Sequence, residues 1–336
     1  MVNVLSVTTP DYLSRTLTVT VLLPVYGHSP WLNEALISVQ EQTCRDWNLI
    51  IADDGSDETA EQCIQCWLNQ QSSRRILWNK RAKNLGLFKN LNQAIREAET
   101  DWVMLLCSDD KLHNNAVADV ADLRSRWPET SLILSTFDSI NCDGTARPPD
   151  SSSHHDELRR STGLVEPEQM LPALLRLGSL NGNLTGMVFS RSLWVNAGGF
   201  REDWRHAADW EWLIRASEQK ALLLNRKPIA AVRTHPAQLS EKNRVSGHEI
   251  TEVAAVIEGL LAHEMIRQEP QRWAWAGHVM QYQLWNLLKA ARQGDWSHWS
   301  TGLRAIHKSA GLRQTCKSLV GWLPSRWKTR ASRSSK

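Results

Sequence analysis

The sequence predicts an α/β protein: an open sheet with helices on both faces, followed by a helical extension. Three observations predict it. Between residues 18 and 137, short apolar, β-branched runs alternate with segments whose apolar residues recur at helical spacing. The chain carries no internal repeat. Tyr26-Gly27, Asp53-Asp54 and Asp109-Asp110 each follow the end of an apolar run, and open α/β sheets bind ligands beyond the carboxyl ends of their strands.

The first run, residues 18–23, reads as a buried strand that stops at Pro24. Ser29-Pro30 supplies an N-cap and a first-turn proline, and Trp31, Leu32, Ala35, Leu36 and Val39 continue as a helix face. Residues 47–52 form the second strand, and Ala60, Cys63, Ile64, Trp67 and Leu68 the second helix. A short strand at 76–78 precedes a helix through Phe88, Leu91, Ala94, Ile95 and Ala98. Residues 102–107 are the next strand, followed by a helix through Ala116, Val117, Val120, Leu123 and Trp127, and a strand at 131–137. Residues 141–162, rich in Asp, Ser, His, Arg and Pro, read as a loop. Beyond it come a helix at 166–177, a strand at 184–190, a turn at Gly198-Gly199 and a helix at 209–219 with Trp210, Leu213 and Ile214 inward. A short apolar run at 229–232 precedes Arg233-Thr234-His235-Pro236, and from about Gly247 the pattern is helical to the end.

The 336 residues are 42% hydrophobic and 22% charged, enough for a sizeable core. A net charge of +3 does not argue for nucleic acid, and no nucleic-acid motif accompanies it. Cys63-Ile64-Gln65-Cys66 lies within a helix pattern without a second pair, so it reads as helix-face thiols, and no disulfide framework emerges. The N-terminus lacks the basic and apolar regions of a signal peptide, and no uninterrupted apolar span of about 20 residues occurs. The expected location is the cytoplasm, with contact at the cytoplasmic membrane face as an option.

Adjacent carboxylates at a buried strand end repel one another and resist desolvation. Asp109-Asp110 therefore admits two readings: an N-cap for the helix through Ala116, or ligands for a divalent cation completed by substrate phosphates. Asp53-Asp54-Gly55-Ser56 is either a tight turn or a carboxylate accepting from a nucleobase or ribose. No Walker A or G-x-G-x-x-G sequence is nearby.

Several motifs, ordered from about Thr18 to Ser240, together resemble the inverting glycosyltransferases of the GT-A (Rossmann-like) fold, in the family numbered two. Leu23-Pro24-Val25-Tyr26-Gly27 resembles P-x-Y-N, with Gly27 for Asn. Ser38-Val39-Gln40-Glu41-Gln42-Thr43 resembles S-x-x-x-Q-T, and Ile51-Ala52-Asp53-Asp54-Gly55-Ser56-Asp57 resembles V-D-D-G-S-x-D. Asn84-Leu85-Gly86 resembles N-x-G, Ser108-Asp109-Asp110 a D-x-D-type motif, and Gly198-Gly199-Phe200 matches G-G-F. Ala208-Asp209-Trp210 resembles x-E-D-W, with Ala208 for Glu, and Arg233-Thr234-His235 resembles R-x-H. The resemblance implies an open mixed sheet, a catalytic domain over residues 15–240 and a Trp-rich, basic helical extension over 241–336. It implies a UDP- or dTDP-sugar donor at Pro24, Tyr26, Asp53, Asp54, Asn84, Gly86 and Asp109. It further implies Mn2+ or Mg2+ at Asp110 and His235, and Asp209 as the general base for a glycan or lipid-linked acceptor in cell-surface polysaccharide synthesis. A silent nucleotide-sugar-binding scaffold is the alternative that Gly27 and Ala208 keep open.

Each role has a plainer rival. Asp209 opens a helix and is a possible N-cap, His235 a possible surface histidine, and Trp210 and Trp212 either core residues or a platform for an acceptor sugar. His154-His155 and His263-Glu264 have no ligand partners at a recognisable spacing. From Trp296 to Lys336 there are nine Lys or Arg and no Asp or Glu, interspersed with tryptophans. That composition suits either a small helical bundle or an interfacial anchor for anionic lipid.

Overall fold

The computed structural model describes residues 18–71, 75–148, 152–180 and 183–331. Its strands are β1 (Val19–Gly27), β2 (Trp47–Ser56), β3 (Ile76–Lys80), β4 (Trp102–Leu105), β5 (Lys111–Leu112), β6 (Leu132–Ser135), β7 (Asp138–Ile140), β8 (Gly163–Val165), β9 (Met187–Ser190), β10 (Leu222–Asn225) and β11 (Ala230–Arg233). Among the described residues, an eight-stranded sheet runs β3-β2-β1-β4-β9-β6-β10-β8, and a three-stranded sheet runs β5-β11-β7. β1 to β4 are mutually parallel, while β9 runs antiparallel to both β4 and β6. The fold is the α/β architecture the alternation predicted, with a mixed sheet.

Alternation along each strand divides the apolar side chains between two faces. Val21, Leu23, Leu49, Ile51 and Met104 pack against Leu36, Ile64 and Val120. These come from the helices Leu32–Gln40, Glu58–Leu68 and Ala116–Arg126. Leu22, Ile50, Val103 and Phe189 face Leu91, Ile95, Leu174 and Trp212 on the other side. A buried Leu or Phe of this kind contributes about 1.5–3 kcal/mol, so two covered faces rather than any one helix hold the sheet together. Cys63 and Cys66 lie on the helix Glu58–Leu68 as free thiols.

Four expectations need correction. β1 does not stop at Pro24 but continues to Gly27. The reason is local. Leu22 turns its carbonyl toward Leu106 N–H, so Pro24, two residues on, turns its missing donor toward the same flank, where β4 has already ended at Leu105. The run expected as one strand at 102–107 is correspondingly shorter. The segment 141–162 is not loop throughout, since Ser152–Leu158 is helical. That helix is anchored by the buried His155, whose Nδ1 lies 3.1 Å from Thr136 Oγ1. Finally, the helix Ala208–Gln219 buries Trp210, Trp212 and Leu213 but leaves Ile214 only half-buried. Trp212 takes the inward position, its ring 4.9 Å from Phe189 and 5.3 Å from Phe200. Both tryptophans are core residues, not a platform for sugar.

The helices after residue 240 include His248–Ala262, Arg272–Arg292 and Trp299–Ser309. Their Ile250, Ile257, Met280, Leu284 and Ile306 belong to the same apolar cluster as Leu22, Phe189 and Trp212. The extension therefore shares a core with the sheet rather than forming one of its own. No helix among the described residues is long and apolar enough to cross a membrane.

A candidate active site at the strand ends

The parallel register sets β1 and β2 to end together, with Gly27 opposite Ser56. Gly27 has φ +60°, a left-handed conformation open to glycine and to asparagine, so its departure from the Asn of the motif leaves the turn intact. Tyr26 beside it is exposed, and Pro24 is partly buried. From β2, Asp53 is fully buried. Its Oδ1 accepts from Gly55 N–H at 3.1 Å and Ser56 N–H at 2.8 Å, and its Oδ2 from Ser56 Oγ at 2.6 Å and Trp78 Nε1 at 3.0 Å. Burial pushes this carboxyl up, but the Ser56, Trp78 and Gly55 donors outweigh it and hold it below the usual range. Asp54 is held by the neighbouring loop: Leu85 N–H at 2.7 Å and Gly86 N–H at 2.9 Å donate to its two oxygens. Here burial prevails and the carboxyl is raised, despite those two N–H groups and the Arg81 charge. Asn84 is exposed, and its Oδ1 also accepts from Gly86 N–H at 2.9 Å.

Past β4 the chain turns through Cys107 to Asp110 and enters β5, which pairs antiparallel with β11. That pairing carries His235 to the aspartates: its Nε2 lies 2.9 Å from Asp109 Oδ2. Asp110 is 1% exposed and firmly held. Arg233 N–H donates to its Oδ1 at 2.8 Å, and Thr185 Oγ1 at 2.6 Å and Asn183 Nδ2 at 2.9 Å donate to its Oδ2. Burial and the adjacent Asp109 charge push the Asp110 carboxyl up to about 7. The helix Ala116–Arg126 takes Asn115 as its N-cap, so neither aspartate caps it. Below the cluster, the fully buried Arg233 donates to the backbone carbonyls of Asp109, Asn141 and Cys142 and to Glu34 Oε2 at 2.8 Å. Trp31 covers both partners, 4.5 Å from the His235 ring and 5.0 Å from the Arg233 guanidinium.

Asp109 and Asp110 fit a hard divalent cation, whereas His235 lies outside the group of ligand atoms that all approach one another closely. Ligand atoms of Cys107, Asp109 and Asp110 lie within 4.8 Å of one another. A carboxylate offers about four acceptor positions, so the three donors on Asp110 leave one open. The buried His235 Nδ1 has no partner among the described residues. Cys107 is the poor ligand of the group: burial and the two aspartates push its thiol well up, and protonated sulfur does not suit a magnesium-like ion.

Asp209 sits one residue into the helix Ala208–Gln219, whose N-cap is Ala207, so it is not the N-cap itself. Its Oδ1 accepts from Trp210 N–H at 2.9 Å. Burial raises its carboxyl, with the Trp210 N–H and the His206 charge opposing and Glu252 adding to the rise. The preceding Gly198-Gly199-Phe200 turn is pinned from two sides. Arg215 donates to Gly198 O at 3.0 Å and Gly199 O at 2.8 Å. Asn92 accepts from Phe200 N–H at 2.9 Å and donates to its carbonyl at 2.8 Å. No motif pointed to Arg81, Asn183, Thr185 or Glu252, because each acts as a partner to another residue and carries no spacing of its own.

Residues 20–192 match the family profile described as glycosyl transferase family 2. An abequosyltransferase of Salmonella typhimurium, RfbV, is 24% identical over 177 residues, 51% of this chain and 52% of that protein. The chain thus spans about half the length of that relative. Among solved structures, residues 1–349 of TarS from S. aureus in complex with UDP-GlcNAc superpose with a TM-score of 0.62 at 14% identity, covering 89% of this chain and 83% of that one. A mannosyltransferase from Pyrobaculum calidifontis, PcManGT, in complex with GDP-Man and Mn2+, gives a TM-score of 0.55 at 15% identity, covering 91% and 88%. At these identities the likeness is one of fold, and the fold is of the GT-A type.

Proposed function

The chain belongs to glycosyl transferase family 2, and on that premise we propose that it is a metal-dependent, inverting glycosyltransferase using a nucleotide-diphosphate sugar. One observation carries the reading. β11 returns from far along the sequence to set His235 against Asp109, beside a second aspartate pair at the same sheet edge. Asp54 would receive the base, with Asp53 shaping the turn beside it and Pro24, Tyr26, Asn84 and Gly86 around it, and Asp109 would receive the ribose. Asp110 and His235 would hold Mn2+ or Mg2+. Such a cation would offset the negative charge that grows on the departing diphosphate, and would relieve the Asp109 repulsion that adds to burial in raising Asp110.

Asp209 takes the proton from the acceptor hydroxyl. The acceptor oxygen bonds to the anomeric carbon as the bond from that carbon to the diphosphate oxygen breaks, and the nucleoside diphosphate leaves with the electron pair. Displacement from the opposite face inverts the centre and leaves no sugar on the protein. UDP- or dTDP-sugars are the proposed donors, in keeping with the UDP-GlcNAc bound by TarS, and the Mn2+ bound by PcManGT is in keeping with the cation. The acceptor is proposed to be a glycan or lipid-linked hydroxyl in cell-surface polysaccharide synthesis. The exposed Trp273 and Trp296 and the acid-free basic stretch after Trp296 support contact with the cytoplasmic membrane face.

Thermal-shift and calorimetric screening of UDP-, dTDP- and GDP-sugars, with Mn2+, Mg2+ or EDTA, tests the reading. Cation-dependent binding of at least one donor is expected, followed by release of its nucleoside diphosphate. Absence of binding across the set overturns the proposal. Binding without turnover, unchanged by Asp209→Asn, leaves the silent scaffold.

A further inference from the structure

Ala208 stands where the family's motif has a glutamate, and its buried methyl offers no polar atom. Ala207, the N-cap, makes no side-chain cap bond either. Among the described residues of its first turn, only Asp209 itself accepts a helix N–H, that of Trp210. The residues that lead into the helix are held instead by a carboxylate from another element. Glu252, on the helix His248–Ala262, is 7% exposed and accepts from three consecutive backbone N–H groups at the helix entry. Arg205 donates at 2.8 Å to one oxygen, and His206 at 2.7 Å and Ala207 at 2.9 Å to the other. Asn243 completes the hold by donating to Arg205 O at 2.7 Å. The helix bearing Glu252 is itself tied down, since Glu249, three residues earlier, accepts from Arg244 Nε at 3.0 Å and Gln283 Nε2 at 2.7 Å.

We propose that Glu252 is a positioning residue for Asp209: it fixes the Arg205–Ala207 entry to the helix and so sets where the proposed general base points. The inference rests on the reading of Asp209 as base. A loop free to fray at Arg205 would let Asp209 swing with the first helical turn, and a misplacement of about 1 Å is enough to cost roughly a hundredfold in rate. Electrostatics act in the same direction. Burial is the main cause of the Asp209 rise; the nearby Glu252 charge adds to it, His206 opposes it from the same loop, and Arg201 is a further charged group that feels Glu252, together with Asp203 and Glu211. A carboxylate from the C-terminal segment thus acts on the proposed catalytic group without touching the reacting atoms.

The test needs no identified acceptor. Full-length protein is given Mn2+ and UDP-GlcNAc, or whichever nucleotide sugar gives the largest thermal shift, and release of the nucleoside diphosphate by hydrolysis is followed across pH. Water then supplies the attacking oxygen and Asp209 takes its proton. Glu252→Gln should keep donor affinity and melting temperature while lowering kcat roughly tenfold to a hundredfold. Its acid limb should move slightly to lower pH, because a charge that adds to burial in raising Asp209 is gone. Glu252→Asp keeps the charge but loses reach, so its limb should stay in place while kcat remains low; it serves if the Gln variant melts early. An unmoved limb with unchanged kcat in Glu252→Gln overturns the inference, as does donor affinity falling in step with kcat. Asp209→Asn is run in parallel. If it keeps full turnover, the reading of Asp209 fails; if it is dead while Glu252→Gln is normal, only the role of Glu252 fails.

Discussion

At the residue scale the proposed site divides into carboxylates that are held and carboxylates that are poised. Asp53 is saturated with donors and kept ionised, which suits a residue that shapes the loop for its neighbour. Asp110 and Asp209 are raised, the state expected of groups awaiting a cation or a proton. Asp110→Ala should abolish cation-dependent donor binding in calorimetry, with Asp109→Ala the milder loss, and equal slight effects would remove both from the metal site. Asp209→Asn should lower turnover by about 10²–10⁴-fold at unchanged donor affinity. The sign of the pH dependence follows from the raised Asp209 carboxyl. A general base must be ionised, so activity is present above its pKa and lost as pH falls through it. The acid limb should therefore lie above the ordinary carboxylate range, and a limb at or below that range would count against Asp209. The aspartates, His235 and the glycines were legible in the sequence because each belongs to a spaced motif. Thr185, Asn183 and Glu252 were not, because a hydrogen-bond partner only needs to arrive in space.

At the element scale, the alternation of apolar runs placed the first strands and helices, misjudged several ends, and missed β5, β7, β8 and β10. Pro24 signals a strand end only if its missing donor faces a partner, and here it faces a flank where the ladder is already over. Residues 141–162 look like loop by composition, yet Ser152–Leu158 is helical, with His155 buried against Thr136. The Gly198-Gly199 turn shows packing that composition does not reveal. A Cβ on Gly199 would lie 2.8 Å from Trp194 Cζ2 and 2.9 Å from Asn92 Oδ1. Gly199→Ala should therefore displace the turn that leads to Asp209, destabilising the protein by about 1–3 kcal/mol, readable by denaturant unfolding. Trp212→Ala, which empties a fully buried site among Phe189 and Phe200, should cost about 3–5 kcal/mol. A change within experimental error in either variant would mean that the helix Ala208–Gln219 is less tightly packed than its contacts imply.

At the scale of the whole molecule, the motif-bearing region and the C-terminal helices are one packed body. The end of the motifs near residue 240 suggested a boundary, but the shared core was not legible, because long-range packing leaves no local pattern. Truncation after residue 240 would strip Ile250, Ile257, Met280 and Leu284 from the core that also holds Trp212, and would remove Glu252. The truncated chain should lose cooperative thermal unfolding and bind hydrophobic dyes; a sharp melting transition would show that the first 240 residues fold alone. The small β5-β11-β7 sheet has a consequence in time as well as in space. During synthesis both aspartate pairs leave the ribosome long before Arg233 and His235, so the nascent chain displays the acidic half of the proposed cation site without its other half. Competence to bind cation and nucleotide together would then arrive late and abruptly, when β11 threads between its two partners. Stalled chains of increasing length, probed for Mn2+-dependent nucleotide binding, should show no step before residue 235 has cleared the exit tunnel, and the step should wait for the C-terminal helices that complete the core.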